Sequence, residues 1–178
     1  EMVEALHNFA CIGMWVPFNE GWGQFDAKAT ATWLADYDPT RPVDHASGWY
    51  DQGGGDCKSL HVYFKALPVV KPEKKRTVVL SEFGGYALRL EGHLWNPGVE
   101  FGYRKCATRE ALTEAYLELL ETQLKPWITA GLSAAIYTQT TDVEIEVNGY
   151  LTYDRAAEKM DFARLRAAHE GLFRKRGD

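Results

Sequence analysis

Cysteine is scarce in this chain: Cys11, Cys57 and Cys106 are the only three, odd in number and far apart, and none belongs to a CxxC pair. Neither a disulfide framework nor a tetrahedral zinc site is indicated by such spacing. Long apolar runs are missing too, since no stretch approaches the roughly 18 residues needed to span a bilayer. Basic clusters are nearly absent. The net charge is -5, and the single basic run, Arg174-Lys175-Arg176, lies at the end of the chain, so there is no electrostatic footprint for nucleic acid or an anionic membrane. No glycine-rich phosphate loop follows any expected strand, which weighs against a nucleotide-binding sheet. The opening Glu1-Met2-Val3-Glu4 does not form a signal peptide, and a start on Glu reads as an excised segment whose targeting region would lie upstream.

What is present, 46% apolar and 25% charged residues among 178, suits one globular unit with a sizeable core. Residues 1–8 read as the tail of a helix. The apolar run of residues 11–18 lacks alternation and suits a strand buried on both faces. A helix is expected after Asp26 as N-cap, with Ala29, Trp33, Leu34 and Tyr37 on one face until Asp38-Pro39-Thr40-Arg41-Pro42 breaks it. Short strands are expected at 42–47, 60–63 and 77–80, and a long functional loop at 84–108. A helix over 109–127, capped by Thr108, keeps Leu112, Ala115, Tyr116, Leu119, Leu120 and Leu124 in helical register. A buried strand at 134–137, a polar excursion to 154 and a final helix with Phe162, Leu165, Leu172 and Phe173 inward complete the order. Buried strands interleaved with helices imply an α/β fold with a mainly parallel sheet.

Two of these strands end alike, in Asn19-Glu20-Gly21-Trp22-Gly23 and in Ser81-Glu82-Phe83-Gly84-Gly85. A carboxylate at the C-terminal end of a strand stands where α/β folds build their sites, and an acid directly after an apolar run is costly unless paired or used. Two carboxyl groups with opposed protonation preferences are what glycoside hydrolysis needs. Asn19 can orient a sugar hydroxyl, and Trp15, Trp22, Trp49 and Trp95 offer flat apolar faces for pyranose rings. Asp142, Glu144 and Glu146 read as residues of a solvated loop. His61 stands at a strand end within reach of a sugar hydroxyl, while His7, His45, His93 and His169 show no ligand spacing and suggest no metal.

The blocks Met14-Trp15-Val16-Pro17-Phe18-Asn19-Glu20-Gly21-Trp22-Gly23-Gln24, Asp38-Pro39-Thr40-Arg41-Pro42-Val43 with Ala46-Ser47-Gly48-Trp49, His61-Val62-Tyr63, Leu80-Ser81-Glu82-Phe83-Gly84-Gly85 and Tyr137-Thr138-Gln139-Thr140-Thr141-Asp142-Val143-Glu144 together resemble glycoside hydrolase family 2, the β-galactosidase-like enzymes, in family order. The resemblance implies that residues 1–178 form the C-terminal part of a (β/α)8 TIM barrel, roughly strands four to eight. It implies a retaining β-glycosidase with Glu20 as acid/base and Glu82 as nucleophile, their carboxyl groups about 5 to 5.5 Å apart. Asn19, Trp22, Trp49, His61, Tyr63 and Tyr137 are the implied substrate contacts, Tyr63 matching the sixth-strand Tyr beside the nucleophile. Tyr137 stands where β-galactosidases often carry Trp, and no Asn-Lys motif of the β-glucuronidase kind occurs. β-Mannosidase or β-glucuronidase specificity therefore stays open, as does a non-catalytic carbohydrate-binding module. No cofactor is implied; the expected partner is a carbohydrate. Strands one to three and the β-sandwich domains would lie upstream, so the isolated segment is expected to be inactive and to self-associate through an exposed barrel edge.

Overall fold

The computed structural model describes residues 1–63 and 71–173; the basic run at 174–176 lies outside the described residues. The elements are α1 (Met2–Leu6), α2 (Ala27–Tyr37), β1 (Cys57–Val62), β2 (Thr77–Gly84), β3 (Ala87–Leu88), β4 (Lys105–Cys106), α3 (Arg109–Leu119), a π-helical turn (Leu120–Leu124), α4 (Lys125–Thr129), β5 (Ala134–Thr138) and α5 (Phe162–Phe173). β1, β2 and β5 pair in that order, and β3 pairs with β4 in parallel. Among the described residues no helix is long and apolar enough to cross a membrane. The chain divides into two compact units. The first holds Glu1–His61 with β2 up to Ser81 and Gly131–Ala135; the second takes over at Val62 and holds Glu82–Ala130 and the chain from Ile136 onward.

In the first unit the expected strands at 11–18 and 42–47 are reduced to two parallel bridges, Trp15 with Val43 and Asn19 with Ser47. Turns occupy residues 7, 8, 10 and 11, so the first residue of the expected run is turned rather than extended. Trp15, Val3, Ala31, Leu34 and Val43 form one apolar cluster, and Phe18, Ala27 and Ala46 another. The buried face of α2 is thus Ala27, Ala31 and Leu34, at i, i+4 and i+7. Ala29, Trp33 and Tyr37 are exposed instead of inward, with the two aromatic rings stacked 5.4 Å apart outside. The small alanines let the helix approach the Trp15 and Phe18 segment closely. Asp26 does precede the helix, but in a left-handed conformation and without a side-chain cap. At the other end Asp38 accepts from the Trp15 indole at 2.8 Å and from Arg41 at 2.8 Å, bonds that hold its carboxyl far below the usual range, the Thr40 hydroxyl contributing most.

In the second unit the Thr108 hydroxyl accepts from Ala111 N–H at 3.0 Å and caps α3 as expected. Leu112, Ala115, Tyr116, Leu119, Leu120, Leu124 and Trp127 are all buried along α3 and its continuation. α5 begins at Asp161, whose carboxylate accepts from Ala163 and Arg164 N–H. It is tied to α3 through Arg164 with Glu110 and Glu114 at 2.8 and 2.6 Å. Leu165 is buried, Leu172 half-buried and Phe162 exposed; the side chain of Phe173 lies outside the described residues. The segment expected as a long loop at 84–108 carries β3 and β4 and is laced to residues 145–147 by Phe101 and Leu88. Strand β5 departs from the expected buried strand: Ala134, Ala135 and Ile136 are exposed and Tyr137 alone is covered; among the described residues β5 stands at the end of the strand order.

Candidate active site

In the first unit Glu20 is fixed by its backbone before its side chain is considered. Its N–H donates to the Ser47 carbonyl at 2.9 Å, and its φ of 52° lies in the left-handed region, a conformation that a non-glycine residue holds at a cost and that concentrates at functional sites. Nδ1 of the His61 imidazole lies 2.7 Å from Glu20 Oε1. On its other side Nε2 meets Ser47 Oγ at 2.9 Å; Ser47 donates to Ser81 Oγ at 2.9 Å, and Ser81 to the Leu60 carbonyl at 3.4 Å. The wiring has a direction. A carbonyl can only accept, so each hydroxyl proton points down the chain, and Ser47 receives the Nε2–H of His61. The imidazole sits where Gly48 leaves room: at φ 86° a Cβ there would lie 2.4 Å from the His61 ring.

Around Glu20 the structure places the sequence candidates unevenly. Asn19, Trp22 and Trp49 are exposed, Trp22 at 79%, so both indoles keep an open face. Trp95, in the second unit, is exposed as well. Trp15 does not: its ring lies in the core and its N–H is taken by Asp38. It is a packing residue, and sugar stacking by Trp15 is excluded by burial.

In the second unit Glu82 lies on β2, followed by Phe83 and Gly84, both buried. Tyr63 donates its hydroxyl to Glu82 Oε2 and meets Thr138 Oγ1 at 3.0 Å. Its ring stacks on Tyr103 at 4.1 Å. Burial, and then the carboxylate, push the Tyr63 phenol well above its ordinary value, so it stays a donor throughout the usual pH range. Tyr137 has another place. It is packed against Phe83, Tyr116 and Tyr150 at 4.8–5.6 Å, and its hydroxyl accepts from Tyr86 N–H at 3.2 Å, which leaves its faces to other rings rather than to a sugar. Gly84 permits this: at φ 84° a Cβ would meet the Tyr137 ring at 2.2 Å.

The polar excursion after β5 is not the solvated loop expected. Asp142 is buried, 2.6 Å from the fully buried Lys159 ammonium, and also accepts from Gly149 N–H at 2.7 Å. Burial works against both charges, raising Asp142 and lowering Lys159, and the close contact opposes it. Glu144 is exposed. Glu146 is half-covered and accepts at Oε2 from Gln139 at 3.1 Å and Asn148 at 3.3 Å.

The remaining histidines serve separate local bonds: His7 to the Glu4 carbonyl, His45 accepting at Nε2 from Gln52 N–H, His93 to Asp154, His169 to Tyr116. Ser47, Ser81, Gln139 and Lys159 were not legible as site residues; only the position of Ser81, directly before Glu82 at a strand end, carried a signal. No family model matches the chain, and a search of curated proteins finds no match.

Proposed function

We propose that the chain carries the catalytic carboxylates of a retaining β-glycosidase, on a (β/α)8 frame of which it supplies strands four to eight. The observation that carries this reading is the pairing of each Glu with one donor ring: His61 with Glu20, and Tyr63 with Glu82.

Glu82 is the nucleophile. Tyr63 donates to it, and that bond orients the carboxylate that forms the bond to the anomeric carbon. Glu20 is the acid/base. In the first step a proton on the Glu20 carboxyl passes to the departing glycosidic oxygen as the C–O bond breaks and the glycosyl-enzyme forms on Glu82. In the second step Glu20 takes a proton from water, the water oxygen bonds to the anomeric carbon, and the Glu82–sugar bond breaks. The open faces of Trp22 and Trp49 suit the sugar or aglycone beyond the scissile bond.

Treatment of the full-length protein with an activated 2-deoxy-2-fluoro β-glycoside tests this. The expected result is a covalent adduct on the Glu82 peptide by mass spectrometry, with hydrolysis of aryl β-glycosides giving the β-anomer first by NMR. No adduct together with an inverted product, or sugar binding without any turnover, would replace the proposal with an inverting enzyme or a binding module.

A further inference from the structure

The second unit holds another carboxylate whose surroundings lead back to Glu82 by a closed circuit of contacts. Tyr63 donates to Glu82 and stacks on Tyr103. Tyr103 meets Phe101 edge-on at 5.3 Å, and the Phe101 backbone bridges to Glu146, with Val147 N–H donating to the Phe101 carbonyl at 2.9 Å. Glu146 Oε2 accepts from Gln139. Gln139 follows Thr138 in the chain, and Thr138 bonds the Tyr63 hydroxyl at 3.0 Å. Each link is one side chain or one peptide long, so Glu146 and Gln139 are connected to Glu82 through shared neighbours.

Their hydrogen bonding leaves a specific surface. The Gln139 amide nitrogen is used twice, toward Glu146 Oε2 and toward Asn148 Oδ1 at 2.7 Å. Asn148 is buried and turns its own amide nitrogen to the same Glu146 oxygen. Oε2 is therefore locked by two donors, while Glu146 Oε1 and the side-chain Oε1 of Gln139 accept no bond among the described residues. No Lys, Arg or His is paired with Glu146 among them either. Two neighbouring open acceptors, one on a carboxylate, fit sugar hydroxyls, which donate, and oppose a sugar carboxylate, which cannot donate and carries like charge.

We propose that Glu146, held by Gln139 and Asn148, is a specificity-determining acceptor for the ring bound at Glu82, selecting neutral hexoses and excluding uronic acids. The inference rests on the glycosidase reading for its placement of the ring at Glu82. A site built around oriented acceptors discriminates against a ligand that lacks the matching donor.

The test is binding rather than turnover, so that its failure is separable from failure of the glycosidase reading, which the fluoroglycoside adduct reports. Full-length protein carrying Glu82→Gln is titrated calorimetrically with phenyl β-hexopyranosides and their matched phenyl β-hexuronides, of gluco and galacto configuration. The neutral ring of at least one pair should bind at least tenfold more tightly than its uronide. Adding Glu146→Gln should shrink that ratio below threefold without changing the melting temperature, because the new amide oxygen still accepts from Gln139 and Asn148. A ratio unchanged by Glu146→Gln, a uronide that binds more tightly, or no binding of any ring would each overturn the proposal. A fall in melting temperature with an unchanged ratio would assign Glu146 to holding the loop alone.

Discussion

Replacing Lys159 by methionine isolates what the buried ion pair in the second unit contributes. Its ammonium is 0% exposed, 2.6 Å from Asp142 Oδ1 and 2.8 Å from the Val147 carbonyl. Asp142 is itself only 5% exposed, and its remaining donor is Gly149 N–H. Methionine keeps most of the stem volume and removes the charge, leaving a buried carboxylate with one backbone partner. Breaking a buried pair in this way costs about 3–5 kcal/mol. With a urea dependence of about 2 kcal/mol per molar, the unfolding midpoint should fall by about 2 M. The double variant Asp142→Asn/Lys159→Met removes both charges while the amide oxygen still accepts from Gly149, so its loss should stay under about 1.5 kcal/mol. The deficit of Lys159→Met should also depend on pH. Burial already raises Asp142, and without the cation it rises further. A folded value above the unfolded one means that the deficit is smallest below the ordinary 3.8, grows as pH climbs toward the raised value, and then levels off. Urea titrations of the three variants at several pH values measure this. A Lys159→Met midpoint within about 0.5 M of the parent, or a double variant as damaged as the single one, would refute the reasoning.

Glu82→Gln should abolish turnover of every aryl glycoside by the full-length protein, while Glu20→Gln should still form the glycosyl-enzyme from activated phenyl glycosides and regain turnover with azide, giving a retained product; azide product of inverted configuration from the Glu82 variant alone would reverse the roles. Gly48→Ala places a methyl 2.4 Å from the His61 ring in a backbone conformation that L-residues resist. It should lower kcat at least tenfold by displacing the imidazole from Glu20, with little change in KM; steady-state kinetics that match the parent would disprove the placement of His61. Asp154 is held down to about 2 from an ordinary 3.8, first by the Thr152 hydroxyl and then by His93 and Ala156 N–H. Its contribution is complete above 3.8 and lost as pH falls toward about 2, so NMR signals of residues 152–157 should shift in that window, and Asp154→Asn should remove the transition.

The parts that were legible in the sequence are those where one local rule dominates. α3 has a hydroxyl cap and an apolar stripe at helical spacing, and β2 has a β-branched run, so each forms where its own residues say it should. α2 misled because apolar residues occupy more than one face, and size rather than hydrophobicity decides between them: alanines enter the close contact and Trp33 is left outside. The two glutamates could be picked out because a strand end followed by glycine is a local pattern. Tyr63 was set beside Glu82, 19 residues away, by the resemblance alone, and His61 was read as a sugar contact rather than as the partner of Glu20, from which 41 residues separate it. The same distance problem hid Lys159, whose partner lies 17 residues away in a stretch of polar composition; a polar sequence does not reveal whether its charges meet water or each other.

The π-helical turn at Leu120–Leu124 gives the long helix one residue more than its path requires. Such a turn absorbs an added residue in place, leaving the helix on either side in its original register. Buried Leu119 and Leu120 therefore continue to buried Leu124 and Trp127, with Gln123 half-covered. Loss of a residue inside 120–124 would close the turn into ordinary α-helix and keep both flanks facing the core. The same loss within Arg109–Leu119 would swing the residues before it by about 100° against those after it, taking Leu112 or Trp127 out of the interior. The helix is thus length-tolerant at one site and intolerant elsewhere, and insertions or deletions in relatives of this chain are expected to gather at those five positions.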